Sequence, residues 1–169
     1  MPADDTPTDK TGLAAAGPDR PLKLIALDAK DLAVVSAHVQ DAVVKAGEIV
    51  WSPARRQLTL PMNRFAWERT LRASRRNPDE RRRSVLHFGR VEAVRSTGFA
   101  QDDADAVVAL LAIVFEPTDP PAGVVTLVCA GEAAIRLDVE CIEAQLTDLG
   151  AAWQASMRPK HRLGRETET

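Results

Sequence analysis

The stretch Ala133-Ala-Ile-Arg-Leu-Asp-Val-Glu-Cys-Ile-Glu-Ala-Gln-Leu-Thr-Asp-Leu-Gly-Ala-Ala-Trp153 changes its hydrophobic period halfway along. Its first half alternates between apolar and polar side chains, and the apolar ones are Ile135, Leu137 and Val139. Alternation of this kind predicts a strand with one buried face. Its second half has apolar side chains at helical spacing: Ile142, Leu146, Leu149 and Trp153. We therefore expect a strand that runs into an amphipathic helix, and this helix needs an apolar sheet surface to cover.

The N-terminal part of the chain predicts a strand followed by a short helix. Residues 22–27 form a short apolar run, and Asp28 follows it as the predicted N-cap. Apolar side chains then lie at positions i, i+3 and i+7 of one helical face: Leu32, Val35 and Val39. We expect this helix to span residues 29–40.

Between these two ends, turn residues separate segments that are typical of strands. The predicted strands cover residues 43–51, 57–67, 84–97, 106–115, 124–129 and 133–139. In the second of them the alternation slips near Asn63-Arg64, and a β-bulge there would place Phe65 and Trp67 on the core side. Residues 68–83 lose the pattern, which predicts a long polar loop.

The order of strand, helix, six strands and helix favours an α+β fold. Short turns between the later strands imply antiparallel neighbours. We expect a strongly bent, mostly antiparallel sheet of about seven strands, similar to a pleckstrin-homology (PH)-like barrel or sandwich and capped by the C-terminal amphipathic helix. Residues 21–157 would form one domain, with flexible tails at 1–20 and 158–169.

Composition excludes several classes of protein. With 169 residues, 45% hydrophobic and 27% charged, the chain has the profile of a soluble globular protein, and no apolar run approaches the ~20 residues of a membrane helix. Acidic residues stand where a signal peptide would be basic, so we expect a cytoplasmic protein. Two cysteines, Cys129 and Cys141, make neither a disulfide framework nor a metal site. No glycine-rich phosphate loop, nucleophile elbow or metal-binding histidine spacing is present, so we expect no cofactor and assign no catalytic residue.

Charge is unevenly distributed along the chain. Residues 45–95 carry 13 Lys/Arg against 5 Asp/Glu, whereas residues 96–157 carry one Arg against 10 Asp/Glu. Seven arginines concentrate in or beside the predicted loop: Arg69, Arg72, Arg75, Arg76, Arg81, Arg82 and Arg83. Arginine suits phosphate and carboxylate partners, so these residues are the candidate interaction site. The alternative is a solvated loop that the acidic half of the same domain balances.

Four segments of the sequence carry a family resemblance: Leu-Ile-Ala-Leu-Asp-Ala-Lys-Asp-Leu-Ala-Val at 24–34, Asn-Arg-Phe-Ala-Trp-Glu at 63–68, Arg-Arg-Ser-Val-Leu-His-Phe at 82–88 and Ile-Arg-Leu-Asp-Val-Glu-Cys-Ile at 135–142. Together they resemble the alphaproteobacterial family DUF2948, a domain of unknown function, over about residues 22–158. The resemblance implies no activity, cofactor or site.

Our main functional hypothesis is a non-enzymatic protein-interaction or assembly module of the bacterial cytoplasm, because opposite charge blocks favour a protein partner or a homo-oligomer such as a dimer. The alternative is phosphate-ligand or RNA binding through the Arg-rich loop 69–83. An acidic pI of 5.9 and the lack of aromatic residues among the arginines count against nucleic acid. A second alternative is an enzyme without a recognisable motif.

Overall fold

The computed structural model describes residues 21–66, 80–99 and 103–150, and the backbone of residues 153–154. The chain forms eleven strands there: β1 (Lys23–Ala26), β2 (Ala42–Lys45), β3 (Val50–Ser52), β4 (Gln57–Phe65), β5 (Glu80–Phe88), β6 (Val91–Thr97), β7 (Val107–Pro117), β8 (Gly123–Cys129), β9 (Ala134–Val139), β10 (Ala144–Asp148) and β11 (Trp153–Gln154). Helix α1 (Ala29–Val39) follows β1, and a 3-10 helix (Ala46–Glu48) separates β2 from β3. The predicted tails 1–20 and 158–169 lie outside the described residues.

All eleven strands belong to one antiparallel sheet. Its order is β1-β10-β5-β4-β2-β7-β8-β9-β6, with β3 pairing beside β4 and β11 beside β5. The two end strands of this order do not pair with each other, so the sheet is open. Strands β5 and β6 lie far apart in the order, yet only Gly89 and Arg90 separate them in the chain. The sheet must therefore curve back on itself, because two linking residues span only about 7–11 Å.

One hydrophobic core fills the inside of this curve. Alternate residues of β4, β5, β8, β9 and β10 point into it, and a single buried cluster joins them to α1. The helix begins as predicted, since the Asp28 carboxylate accepts a hydrogen bond of 2.7 Å from the N–H of Asp31. Its predicted face is also the buried one: Leu32, Val35 and Val39.

Several predictions from the sequence are confirmed. The strand at 22–27, the helix at 29–40, the strand at 106–115 and the hairpin around Gly131 correspond to β1, α1, β7 and the β8–β9 pair. The predicted strand at 43–51 is broken by the 3-10 helix, and the one at 84–97 is divided into β5 and β6 by a turn at Gly89.

The predicted C-terminal helix is wrong, and with it the PH-like, seven-strand α+β fold. Residues 144–148 form strand β10, which pairs with β1 on one side and β5 on the other. Leu146 is fully buried there, at 0% exposure, between Leu24 and Leu86 of these neighbours. Pairing along both edges satisfies the backbone of β10 and buries its inward row, so tertiary contacts override the helical spacing of the apolar residues.

The predicted bulge near Asn63-Arg64 is also wrong. Pairing between β4 and β5 continues without a shift from Leu58 opposite Phe88 to Phe65 opposite Arg81. In the sequence the apolar alternation breaks there, because a charged residue, Arg64, occupies an inward position and is 0% exposed.

Candidate functional site

The seven arginines of the predicted site do not all lie in one loop. Arg69, Arg72, Arg75 and Arg76 lie outside the described residues, whereas Arg81, Arg82 and Arg83 belong to strand β5 and not to a loop. Because side chains alternate along a strand, the last three cannot act on one face. Arg82 points inward and is 2% exposed, and its two neighbours are half-buried on the outer face.

The two outward arginines already have contacts within the fold. The guanidinium carbon of Arg81 lies 4.3 Å from the centroid of the Phe65 ring, a cation–π distance. Arg83 donates to the carboxylate of Glu48 at 2.9 Å and lies 3.5 Å from the side-chain oxygen of Asn63. Strand pairing between β4 and β5 brings Phe65 to Arg81 and Asn63 to Arg83, although these partners are distant in the sequence.

Arg82 belongs to a buried polar cluster, which also contains Arg64, Ser84 and Asp148. Arg64 donates two hydrogen bonds to the Asp148 carboxylate, from Nε to Oδ1 and from Nη2 to Oδ2, and each is 2.9 Å long. The Ser84 hydroxyl donates to Oδ1 at 2.6 Å, and the backbone N–H of Leu22 donates to Oδ2 at 2.8 Å. Arg82 lies 3.5 Å from Oδ2 and, on its other side, 3.5 Å from the carboxylate of Glu80.

The electrostatics of this cluster favour a charged Asp148. Burial alone would raise the pKa of Asp148, but the hydrogen bonds from Arg64, Ser84 and Leu22, together with the charge of Arg64, lower it below its ordinary value. Both carboxylate oxygens are engaged by protein donors, so Asp148 is held as an acceptor and not presented to a substrate. We therefore assign the cluster to stability.

Ion pairs also join the basic segment 45–95 to the acidic segment 96–157. Arg56 pairs with Glu140, Arg90 with Glu143 at 3.4 Å, and Arg95 with Asp138 at 3.1 Å. These carboxylates therefore have partners within the domain, and the charge division in the sequence is partly neutralised by folding.

A cavity of about 380 Å³ opens to the surface beside the 3-10 helix. Its walls are mainly apolar, and the largest lining side chains are Ile49, Trp51, Leu58, Val94, Phe99 and Ile135. This volume lies in the ~300–1,000 Å³ range of ligand pockets, which are typically apolar with a few polar groups. We call it the apolar pocket.

The apolar pocket lies between the hairpin β3–β4 and the pair β6–β9. Near one end the two sides are joined, because Val91 donates its N–H to the carbonyl of Arg56 at 3.0 Å. Further along, no pairing between β3 and β6 occurs in the described parts of the chain, and the pocket lies between these two strand edges.

A close backbone approach at Gly47 holds the rim of the pocket. Gly47 donates its N–H to the carbonyl of Ala104 at 3.0 Å, and a Cβ added to Gly47 would lie 2.6 Å from that oxygen. Only glycine allows this approach without a backbone shift. An isolated glycine inside a strand-like segment often marks such a contact, and this was the signal in the sequence that could have indicated the pocket.

A protein-family model described as "Protein of unknown function (DUF2948)" matches residues 22–161. The chain belongs to the DUF2948 family. The resemblance found in the sequence is thereby confirmed. No curated protein and no solved structure matches the chain.

The polar groups of the pocket in this DUF2948 protein are few. Ser96 of β6 and Asp103 line it, and both are exposed. Asp103 Oδ1 accepts a hydrogen bond from the N–H of Asp105 at 3.0 Å, which fixes the turn at the rim. Across the part of the chain that the structure describes, no group of three or more His, Cys, Asp or Glu residues could hold a metal ion. Within that same part, no helix is both long and apolar enough to cross a membrane.

Proposed function

We propose that this DUF2948 protein is a non-enzymatic protein-interaction module, which binds an extended, apolar segment of a partner protein at the apolar pocket. The observation that carries this proposal is the position of the pocket between two strand edges. Extended peptides often bind by adding to a sheet edge, where main-chain hydrogen bonds supply affinity and side-chain pockets supply specificity.

Both requirements of this binding mode are met at the same place. Strand β6 ends the sheet order and lines the pocket with Val94 and Ser96, and in the described residues its only strand neighbour is β9, so its other edge has no strand partner there. The floor is apolar, with Trp51 on one side and Ile135 on the other. Buried aromatic and aliphatic anchors usually contribute most of the binding energy of such an interface.

The negative charge at the rim of the apolar pocket indicates which charge the bound segment should carry. Asp103 and Asp105 are both exposed at this edge, and their carboxylates favour a cation on the bound segment. We therefore propose a partner segment that alternates apolar residues with at least one Lys or Arg.

The proposal can be tested by selecting extended peptides from a random library and measuring their affinity for two matched variants. Ser96→Trp places a large side chain in the pocket, whereas Thr97→Trp places the same side chain on the neighbouring β6 residue that does not line it. Selected peptides should bind wild type and Thr97→Trp equally but Ser96→Trp at least about tenfold more weakly, a difference of about 1.4 kcal/mol.

Two further results bear on the mode of binding. N-methylation of alternate peptide amides should abolish binding, because it removes the main-chain donors of an added strand. Peptides that bind Ser96→Trp as tightly as wild type, or a library that yields no binder, would refute the proposal.

A second copy of the chain is the second candidate partner, and the division of charge between residues 45–95 and 96–157 is the feature that favours it. Sedimentation at low salt should then show a dimer or larger species that dissociates at 1 M salt, where the Debye length is about 3 Å. A monomer at every salt and protein concentration would exclude it.

We also propose a cytoplasmic location for the protein. Cys129 and Cys141 are both free, which suits a reducing compartment. Cell fractionation tests this location, and recovery of the protein outside the cytoplasm would contradict it.

A further inference from the structure

Strands β1, β10, β5 and β4 lie side by side, and none of the residues within these strands that point outward carries a carboxylate. One row across the sheet consists of Ile25, Gln145, His87 and Thr59, which lie opposite one another in register. The next row consists of Lys23, Thr147, Val85 and Pro61. Helix α1 packs on the other side of the sheet, because its buried residues join the core cluster. We call this surface the outward sheet face.

Positive charge collects towards one end of the outward sheet face. Arg83 stands opposite Asn63, and Arg81 stands opposite Phe65 in the last row. Lys23 is exposed on the edge strand β1, while Glu48 of the 3-10 helix, outside the rows, partners Arg83. A protein with 24 Asp/Glu and 22 Lys/Arg thus presents, in these rows, cations beside neutral polar and apolar side chains but no carboxylate.

Arg81 also adds a flat stacking surface to this positive end. Its guanidinium lies over the Phe65 ring at 4.3 Å, which gives a layered pair of planar groups. Bases of single-stranded nucleic acid stack on aromatic rings and on arginine planes, and open sheet faces are used in this way. This stacked pair could not be recognised in the sequence, because only strand pairing brings Phe65 and Arg81 together.

We propose that the outward sheet face binds single-stranded nucleic acid, with the phosphates near Lys23 and Arg81 and one base stacked at the Arg81–Phe65 pair. Charge favours a polyanion, and the stacking pair favours nucleic acid over an acidic protein. The site is separate from the apolar pocket and does not depend on it.

The test is fluorescence anisotropy with a labelled oligouridylate of about 12 nucleotides, a length within the usual range of single-strand sites. The matched pair of variants is Arg81→Gln and Arg136→Gln, since each removes one positive charge and Arg136 is exposed on β9 outside this face. Arg81→Gln should weaken binding severalfold and make the salt slope of log K shallower by about 0.7, the value for one phosphate contact on a single strand. Arg136→Gln should change neither quantity.

A third variant, Phe65→Leu, retains an apolar side chain but removes the ring. It should weaken oligouridylate binding by about 5-fold or more, the equivalent of one lost base stack, with a thermal melt recorded to confirm folding. Polyglutamate should compete far less effectively than unlabelled oligouridylate.

Four outcomes would overturn the proposal. They are the absence of binding at low salt, equal losses in Arg81→Gln and Arg136→Gln, equal competition by polyglutamate, and unchanged binding in folded Phe65→Leu. Replacing Arg69, Arg72, Arg75 and Arg76 by Gln separates this face from the predicted Arg-rich loop. If that variant loses all binding while Arg81→Gln binds as wild type, the loop is the site and the face is not.

Discussion

Replacing Asp148 by Asn should be among the most damaging single changes to the polar residues of this domain. Asp148 accepts two hydrogen bonds from Arg64, one from Ser84 and one from the backbone of Leu22. Neither the Arg64 nor the Asp148 side chain is exposed to solvent. The asparagine has nearly the same size but carries no charge and has one acceptor oxygen in place of two. Arg64 would then keep its positive charge in the core without the carboxylate that balances it.

The expected cost follows from breaking one side of a buried ion pair, which destabilises proteins by about 3–5 kcal/mol. Since a domain of this size is stable by only ~5–15 kcal/mol, Asp148→Asn should remove a large share of the free energy of unfolding. Arg64→Met introduced into the Asp148→Asn protein should cost much less than it does in wild type, because the carboxylate that depends on Arg64 is already absent.

Urea denaturation at pH 7 measures these effects, and Asp138→Asn is the matched control. Asp138 also pairs with an arginine, Arg95 at 3.1 Å, but on the surface, where such a pair contributes about 0–1 kcal/mol. Equal unfolding midpoints for Asp148→Asn and Asp138→Asn would refute the reasoning, since burial would then make no difference to the pair.

The charge of Asp148 also predicts that the stability of the domain depends on pH. Folding lowers the pKa of Asp148, so its stabilising contribution is complete above its unfolded-state pKa of about 3.9 and is lost as the pH falls through the folded-state pKa. The stability difference between wild type and Asp148→Asn should therefore shrink below about pH 4. A constant difference down to pH 2 would show that the charge of Asp148 is not its source.

Three further predictions concern the rest of the domain. Gly47→Ala should lower the free energy of unfolding by about 1–3 kcal/mol, because the new Cβ meets the Ala104 backbone. Gly89→Ala should lower it by less than about 1 kcal/mol, because the new Cβ meets the movable Glu143 side chain. Equal losses of stability in thermal melts of the two variants would contradict this difference. Asp28→Ala should cost about 1 kcal/mol through loss of the α1 cap, and Asp28→Ser should restore most of it; a cost that Ser does not relieve would assign the effect to something other than capping. Burial raises the pKa of Cys129, so a thiol reagent should react with this cysteine only after unfolding, while half-buried Cys141 reacts earlier. Rapid reaction of the one remaining thiol in the folded Cys141→Ser variant would disprove the assignment.

Elements with local determinants could be read from the sequence. Helix α1 has its cap at Asp28 and its buried face at Leu32, Val35 and Val39, all within one short segment. The hairpin β8–β9 has alternating apolar residues and a glycine between its strands. In both cases neighbours in the chain specify the structure, so no knowledge of distant contacts was needed.

The apolar pocket could not be predicted in the same way. Its lining side chains come from β3, β4, β6 and β9 and from the segments beside them, and none of these contributes a recognisable motif. Apolar residues at alternate positions look the same whether they fill a core or line a cavity. The exception is Gly47, whose missing side chain permits the backbone contact at the rim.

The two principal errors, the bulge in β4 and the helix in place of β10, have one physical feature in common. Each strand places a charged residue on its inward row, Arg64 in β4 and Asp148 in β10, and each interrupts the alternation by which strands are recognised. Either residue alone would be too costly to bury, so a charged residue at these positions is not expected on the inward row of a strand. Together they satisfy each other across β5, although 84 residues separate them in the chain. A slip in strand alternation at a charged residue can therefore indicate half of a buried ion pair, and the search for its partner should precede the assignment of a bulge or a helix.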